Sequence, residues 1–126
     1  MSEYTKHLTP RPELRERIIE TAVEAFSAHG IKSITMDDIA TSLGISKRTL
    51  YEVFSDKETL LEECILKGQR EGEEFLKNVL AASENVLEVL LKCYQRSIEK
   101  FHATNKKFFE DIKKYPKAYE LSLIHI

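Results

Sequence analysis

The chain has 126 residues, 42% of them hydrophobic and 32% charged, with only 4 Gly and 3 Pro. That composition is too apolar for a disordered chain and too poor in turn-formers for an all-β sandwich or barrel. The net charge is −2, and residues 1–60 hold eight basic against ten acidic side chains, so bulk charge lacks the basic footprint of a nucleic-acid-binding domain. No apolar run approaches the ~20 residues of a membrane span. Met1-Ser2-Glu3-Tyr4 lacks the basic-then-apolar order of a signal peptide. Cys64 and Cys93 lie too far apart to suggest a disulfide framework or a zinc site. A cytoplasmic protein with no metal and no cofactor is the expectation.

Residues 1–11 are polar and end in Thr9-Pro10-Arg11-Pro12. The residue before a proline is pushed out of the α region, so helix is predicted only from Pro12, which suits a first turn. Leu14, Ile18, Ala22 and Phe26 then recur at i+4, with glutamates between them and Gly30 as a stop. This predicts a first helix over 12–29. Thr35 with Asp38 resembles a capping box and opens a two-turn helix that buries Ile39, Ala40 and Leu43 and ends at Gly44. Ser46 is a ready N-cap for a short helix over Lys47–Phe54. Ser55 and Glu58 spell a full Ser-x-x-Glu box, which predicts the start of a long helix there. Gly68 and Gly72 lie on one face of that helix. Asn85 with Glu88 begins another, apolar at Val86, Leu87, Leu90, Leu91, Tyr94, Ile98 and Phe101. A break follows at 102–105, then a short helix around Phe108 and Ile112 that Pro116 limits. Leu121 to Ile126 has no charge and no turn residue.

The informative stretch is Thr35 to Phe54. Two short helices crossing steeply need a small residue at their closest approach, and Ala40 supplies it. They need a residue tolerant of positive φ in the turn, and Gly44 stands four positions on. They need apolar pins, and Ile39, Leu43, Ile45, Leu50 and Val53 have the right spacing. These are the requirements of a helix-turn-helix. Lys47 and Arg48 sit at the end of a helix dipole that disfavours cations, which argues for a functional reason. Arg48 could read a guanine bidentately, and Lys47 supplies a point charge for phosphate.

Ile39-Ala40, Leu43-Gly44-Ile45-Ser46, Thr49-Leu50-Tyr51, Phe54, Lys57-Glu58 and Leu60-Leu61 together resemble the DNA-binding domain of TetR-type (tetracycline-repressor-like) regulators over about 12–61. The resemblance implies an all-α fold. Residues 1–11 would be an N-terminal arm, 12–61 a three-helix DNA-reading head, and 62–126 a connecting helix with part of a helical C-terminal domain. It implies that Thr35 caps the second helix near a phosphate. It implies that Ser46, Lys47, Arg48 and Thr49 open a recognition helix facing base edges, that Tyr51 reaches backbone or base, and that Lys57 meets a phosphate. Lys6 and Arg11 could add a minor-groove or backbone arm. Val53 departs from the family, which often has His or an aromatic residue there, and Glu52 is acidic beside a phosphate surface.

The partners implied are a double-stranded, pseudo-palindromic operator and a small-molecule effector whose binding releases it. The family dimerises through its last helices, so a homodimer is expected of a full-length regulator and not of these 126 residues. The end at Leu121–Ile126 is expected to be a truncation or junction. Tyr51 could instead be a core tyrosine. Phe101, Phe108, Phe109, Tyr115 and Tyr119 could line a ligand site or fill the core. The four histidines are scattered. A helical protein-interaction module without DNA binding is the rival function. An enzyme is disfavoured, because the chain has no nucleophile with a base, no metal-ligand set and no phosphate loop.

Overall fold

The computed structural model describes residues 11–124. Residues 1–10, including Lys6 and His7 of the expected arm, and residues 125–126 lie outside the described residues. The described residues form α1 (Arg11–His29), α2 (Met36–Leu43), α3 (Lys47–Val53), α4 (Lys57–Ala82), α5 (Val86–Ala103), α6 (Lys106–Asp111), a 3-10 turn (Ile112–Lys114) and α7 (Pro116–Ile124), with no strand among them. The expected all-α class is the one observed. α1 begins at Arg11, one residue before the predicted start. Pro12 is then in the first helical turn, where its missing N–H breaks no intrahelical bond.

The i+4 stripe of α1 is the centre of the core. Ile18, Ile19, Ala22 and Phe26 are almost wholly buried, and Leu14 nearly so. α2, α3, α4 and α6 all pack against α1. They contribute Ile39 and Ala40, Leu50 and Phe54, and Leu60, Leu61 and Cys64 to one continuous cluster. Burying a large aliphatic or aromatic side chain is worth about 1.5–3 kcal/mol, so this stripe is the main hydrophobic anchor of the head. Burial pushes the Cys64 thiol up to about 12, which suits an inert core residue. Surface ion pairs join α1 to α4: Arg15 to Glu63 at 3.0 Å, and Lys67 to Glu16.

A second set of contacts ties the later helices to the turn after α1. Gly30 takes φ +86°, and a Cβ added there would lie 2.7 Å from the Cβ of Lys107 on α6. Glycine is thus required for its backbone conformation and for the close approach of α6. Asp111 Oδ2 accepts from the N–H of Ile31 at 3.0 Å and of Lys32 at 2.9 Å. Asn105 donates its backbone N–H to the Ser27 carbonyl at 2.7 Å and its side-chain amide to the Ala28 carbonyl at 3.1 Å. The orphan carbonyls and N–H groups around the end of α1 are therefore met by residues nearly eighty positions away.

Two features differ from the sequence expectation. Pro116 does more than limit the preceding segment: it is the first residue of α7, the position where its missing N–H is harmless. α7 packs on α4, with Ala118 fully buried and Gln69 donating to the Leu121 carbonyl. The aromatic cluster divides. Phe108, Tyr115 and Tyr119 pack against the core, whereas Phe101 and Phe109 stack on each other at 5.3 Å and remain exposed. α5 has no buried residue, and its apolar set, Val86 through Phe101, faces solvent.

Asp111→Ala removes the acceptor of two backbone N–H groups, one of them partly buried. The expected cost is about 1–3 kcal/mol of stability, the usual penalty for stranding such donors. Urea unfolding of the variant against the parent measures it, and an unchanged midpoint would contradict this role for Asp111.

Candidate nucleic-acid interface

The two short helices are set by their ends. Thr35 caps α2 with extended backbone. Its Oγ1 accepts from the Asp38 N–H at 3.1 Å while Asp38 Oδ2 accepts from the Thr35 N–H at 2.8 Å. This reciprocal box holds the Asp38 carboxyl below its ordinary value. Gly44 closes α2 at φ +70°, a left-handed conformation that frees the chain to turn. The Ile45 N–H donates to the Ala40 carbonyl at 3.1 Å, locking the turn against the buried face of α2.

Ser46 caps α3. Its Oγ accepts from the Thr49 N–H at 3.0 Å and lies 2.8 Å from Thr49 Oγ1. Both hydroxyls are thus engaged in building the helix start. Leu50 and the cap residue Phe54 point into the core, with Leu50 at 0% and Phe54 at 2% exposure. The opposite face carries Lys47, Arg48, Tyr51 and Glu52, all exposed. Tyr51 is 42% exposed, so it lies on the outer face and not in the core. Val53 is half-buried against the core, so the position where the family often has a polar or aromatic contact is turned to packing.

The outward cations are held by acids. Lys47 Nζ lies 3.2 Å from Asp37 Oδ1 in the first turn of α2. Arg48 Nε lies 3.5 Å from Glu52 Oε1 one turn along α3. Arg11 Nη2, at the head of α1, lies 2.7 Å from Glu52 Oε2. The hydrogen bond from Arg11 and the nearby charge of Arg48 hold the Glu52 carboxyl below the usual range. Lys57 stands apart from this group. It is half-buried at the start of α4, and desolvation lowers its pKa against the opposing pull of Asp111 and Asp38. Thr35 thus caps α2, Ser46, Lys47, Arg48 and Thr49 make the start of α3 with Tyr51 one turn on, and Lys57 lies in the first turn of α4. Arg11 was legible only as part of a basic leader, because its partner lies 41 positions away.

One expectation is overturned. Ser55 and Glu58 do not cap α4. Asp56 is the N-cap, and its Oδ1 accepts from the Thr59 N–H at 2.7 Å. Phe54 leaves α3 in extended conformation so that its ring stays buried. Ser55 is then spent on the bend, and Asp56, an equally good cap, takes the next position.

The family model for bacterial regulatory proteins of the tetR family matches residues 18–64, from the middle of α1 into α4. Through this segment the chain is similar to the TetR family. The HTH-type transcriptional regulator SrpR of Pseudomonas putida is 28% identical over 113 residues, covering 90% of this chain and 51% of SrpR. TtgW of the same species, also named as an HTH-type transcriptional regulator, is 28% identical over 113 residues and covered to 81%. IcaR of Staphylococcus aureus, a negative transcriptional regulator of the biofilm operon icaADBC, is 31% identical over 72 residues, which span 57% of this chain and 37% of IcaR. A solved structure from Mesorhizobium loti, assigned to the TetR family of transcriptional regulators, superposes with a TM-score of 0.69 at 24% identity. The superposition covers 90% of this chain and 60% of that one, and it supports the fold. The chain thus spans about half the length of SrpR and less of IcaR.

The capping assignment is testable at both residues. Asp56→Ala should cost about 1 kcal/mol in denaturant melts, and Ser55→Ala clearly less. Backbone donation from Thr59 is the largest cause that holds the Asp56 carboxyl below 3.8, with a smaller contribution from the Ser55 hydroxyl. A depressed carboxyl stabilises the fold above its unfolded pKa and loses that contribution as pH falls through the folded value. The penalty of Asp56→Ala should therefore be full at neutral pH and shrink below about pH 4. An equal penalty at Ser55, or none at Asp56, would restore the Ser-x-x-Glu box.

Proposed function

We propose that this chain is a sequence-specific DNA-binding transcriptional regulator, most simply a ligand-responsive repressor, with α3 as its recognition helix. What carries the reading is the division of α3 into two faces within a TetR-family segment. Leu50 and Phe54 are pinned in the core while Lys47, Arg48 and Tyr51 stand outward. A helix presented this way fits a major groove about 12 Å wide. In this reading Arg48 reads a base edge, and Lys47, Thr35 and Lys57 meet phosphates. Ser46 and Thr49 hold the helix start, and Tyr51 reaches the backbone or a base. The protein is a binding protein and not an enzyme, and it works in the cytoplasm.

The full regulator acts as a homodimer on a pseudo-palindromic operator, released by a small molecule that the helices after the head bind. The resemblance supports this. So does an open groove of about 470 Å³ between α4 and α5, lined by Gly68, Gly72, Cys93 and Arg96 among others. A helical interaction module without DNA binding is the weaker reading, because it has no need of Ser46-Lys47-Arg48-Thr49-Leu50-Tyr51 in that order.

Arg48→Ala should leave stability within about 0.5 kcal/mol, as surface changes do. It should remove about 1–3 kcal/mol of discrimination between an operator-type duplex and a random one. Leu50→Ala should instead cost about 2–5 kcal/mol of stability. Thermal melts with gel-shift titrations separate the two. Folded Arg48→Ala with unchanged discrimination would refute the assignment of α3 as the reading helix.

A further inference from the structure

Three cations on or beside the outer face of α3 have an acidic partner within the protein itself. Lys47 is held by Asp37, and a single carboxylate, Glu52, is shared by Arg48 and Arg11, one guanidinium on each oxygen. Glu52 thereby joins residues from two helices, and it lines a groove with Arg11, Pro12 and Arg15 at the edge of α3. We propose that Glu52 is an affinity-limiting residue of the DNA-reading face: it competes with phosphate for Arg11 and Arg48, and so lowers sequence-independent binding to DNA. This deepens the DNA-reading function proposed above and rests on it.

Binding DNA is an exchange of partners for these arginines. Arg48 and Glu52 are both largely open to water, with side-chain exposures of 91% and 44%. Exposed ion pairs are weak and break readily. Non-specific binding gains its affinity from counterion release as cations neutralise phosphates. A cation that must first give up a carboxylate, and then leave that carboxylate facing the DNA backbone, contributes little to that affinity. A guanine edge repays the exchange differently. Its O6 and N7 accept two hydrogen bonds from one guanidinium at a fixed position, and Glu52 remains one turn along α3, where it can keep Arg11. The acid therefore lowers the affinity for every sequence by a similar amount, and only a sequence that supplies the paired acceptor keeps a useful affinity.

The test uses the whole chain, a random-sequence duplex, and a duplex enriched from a randomised pool against the parent, each titrated across a salt series. Glu52→Gln keeps the shape and removes the charge; Glu52→Asp keeps the charge. Glu52→Gln should bind the random duplex about tenfold more tightly near 0.1 M salt, with a salt slope steeper by about 0.9, the signature of one more phosphate neutralised. Its affinity for the enriched duplex should rise by a similar factor, while Glu52→Asp stays nearer the parent on both duplexes. If Glu52→Gln binds random DNA no more tightly than the parent, at the same slope, while Arg48→Ala still weakens binding, the inference is wrong and the DNA-reading function stands. If the folded parent binds neither duplex, both fall together.

Discussion

The stripe Leu14, Ile18, Ala22 and Phe26 holds the head together, because each element that aims α3 is seated on it. α2 brings Ile39 and Ala40 to it, α3 brings Leu50, and α4 brings Leu60 and Leu61. α3 has only seven residues, too few to be stable alone in water. Its orientation is therefore a tertiary property, set by one buried leucine, a buried cap phenylalanine and the Ser46 cap. The same α1 carries Arg11 at its first turn. The helix that anchors α3 from beneath also reaches around to its outer edge through Glu52.

The turn after α1 links the two halves of the chain. Gly30, Ile31 and Lys32 are met by Lys107 and Asp111 of α6, and the end of α1 by Asn105. These contacts are directional hydrogen bonds and a close backbone approach, and they fix the position of α6 more narrowly than apolar packing alone would. Along the outer face, charge is arranged locally and not as a bulk excess. Asp37 and Glu52 sit within ion-pair distance of Lys47, Arg48 and Arg11. A net charge of −2 is thus compatible with a face whose cations are individually placed.

Much of this was legible in the sequence. The period of α1, the Thr35 box, the Gly44 turn and the Ser46 cap are local signals within four residues of one another, and all appear where the spacing puts them. The start of α4 was misread because Ser55 and Asp56 are both good caps. The choice between them is made by where Phe54 must lie to stay buried, which is a tertiary constraint. α7 went unread because Pro116 signals a stop as readily as a start, and what decides is the burial of Ala118 against the core. The outward Lys47 and Arg48 were legible as cations placed against the helix dipole, whereas Tyr51, which spacing left open between core and surface, proves exposed. The pairing of Arg11 with Glu52, and of Asp111 with the turn after α1, joins positions 41 and about 80 residues apart. Local pattern carries no information about such contacts. The apolar period of α5 was plain in the sequence, and the structure leaves that face open.

The central claim is that DNA is read by the outer face of α3, set by the core beneath it. Backbone amide shifts of the isotopically labelled chain, followed as a DNA duplex enriched from a randomised pool is added, test it most directly. The account predicts that the shifts concentrate at Thr35 and Ser46–Tyr51, reach Arg11, and spare α5. Shifts centred on the exposed face of α5, with Ser46–Tyr51 unmoved, would contradict it.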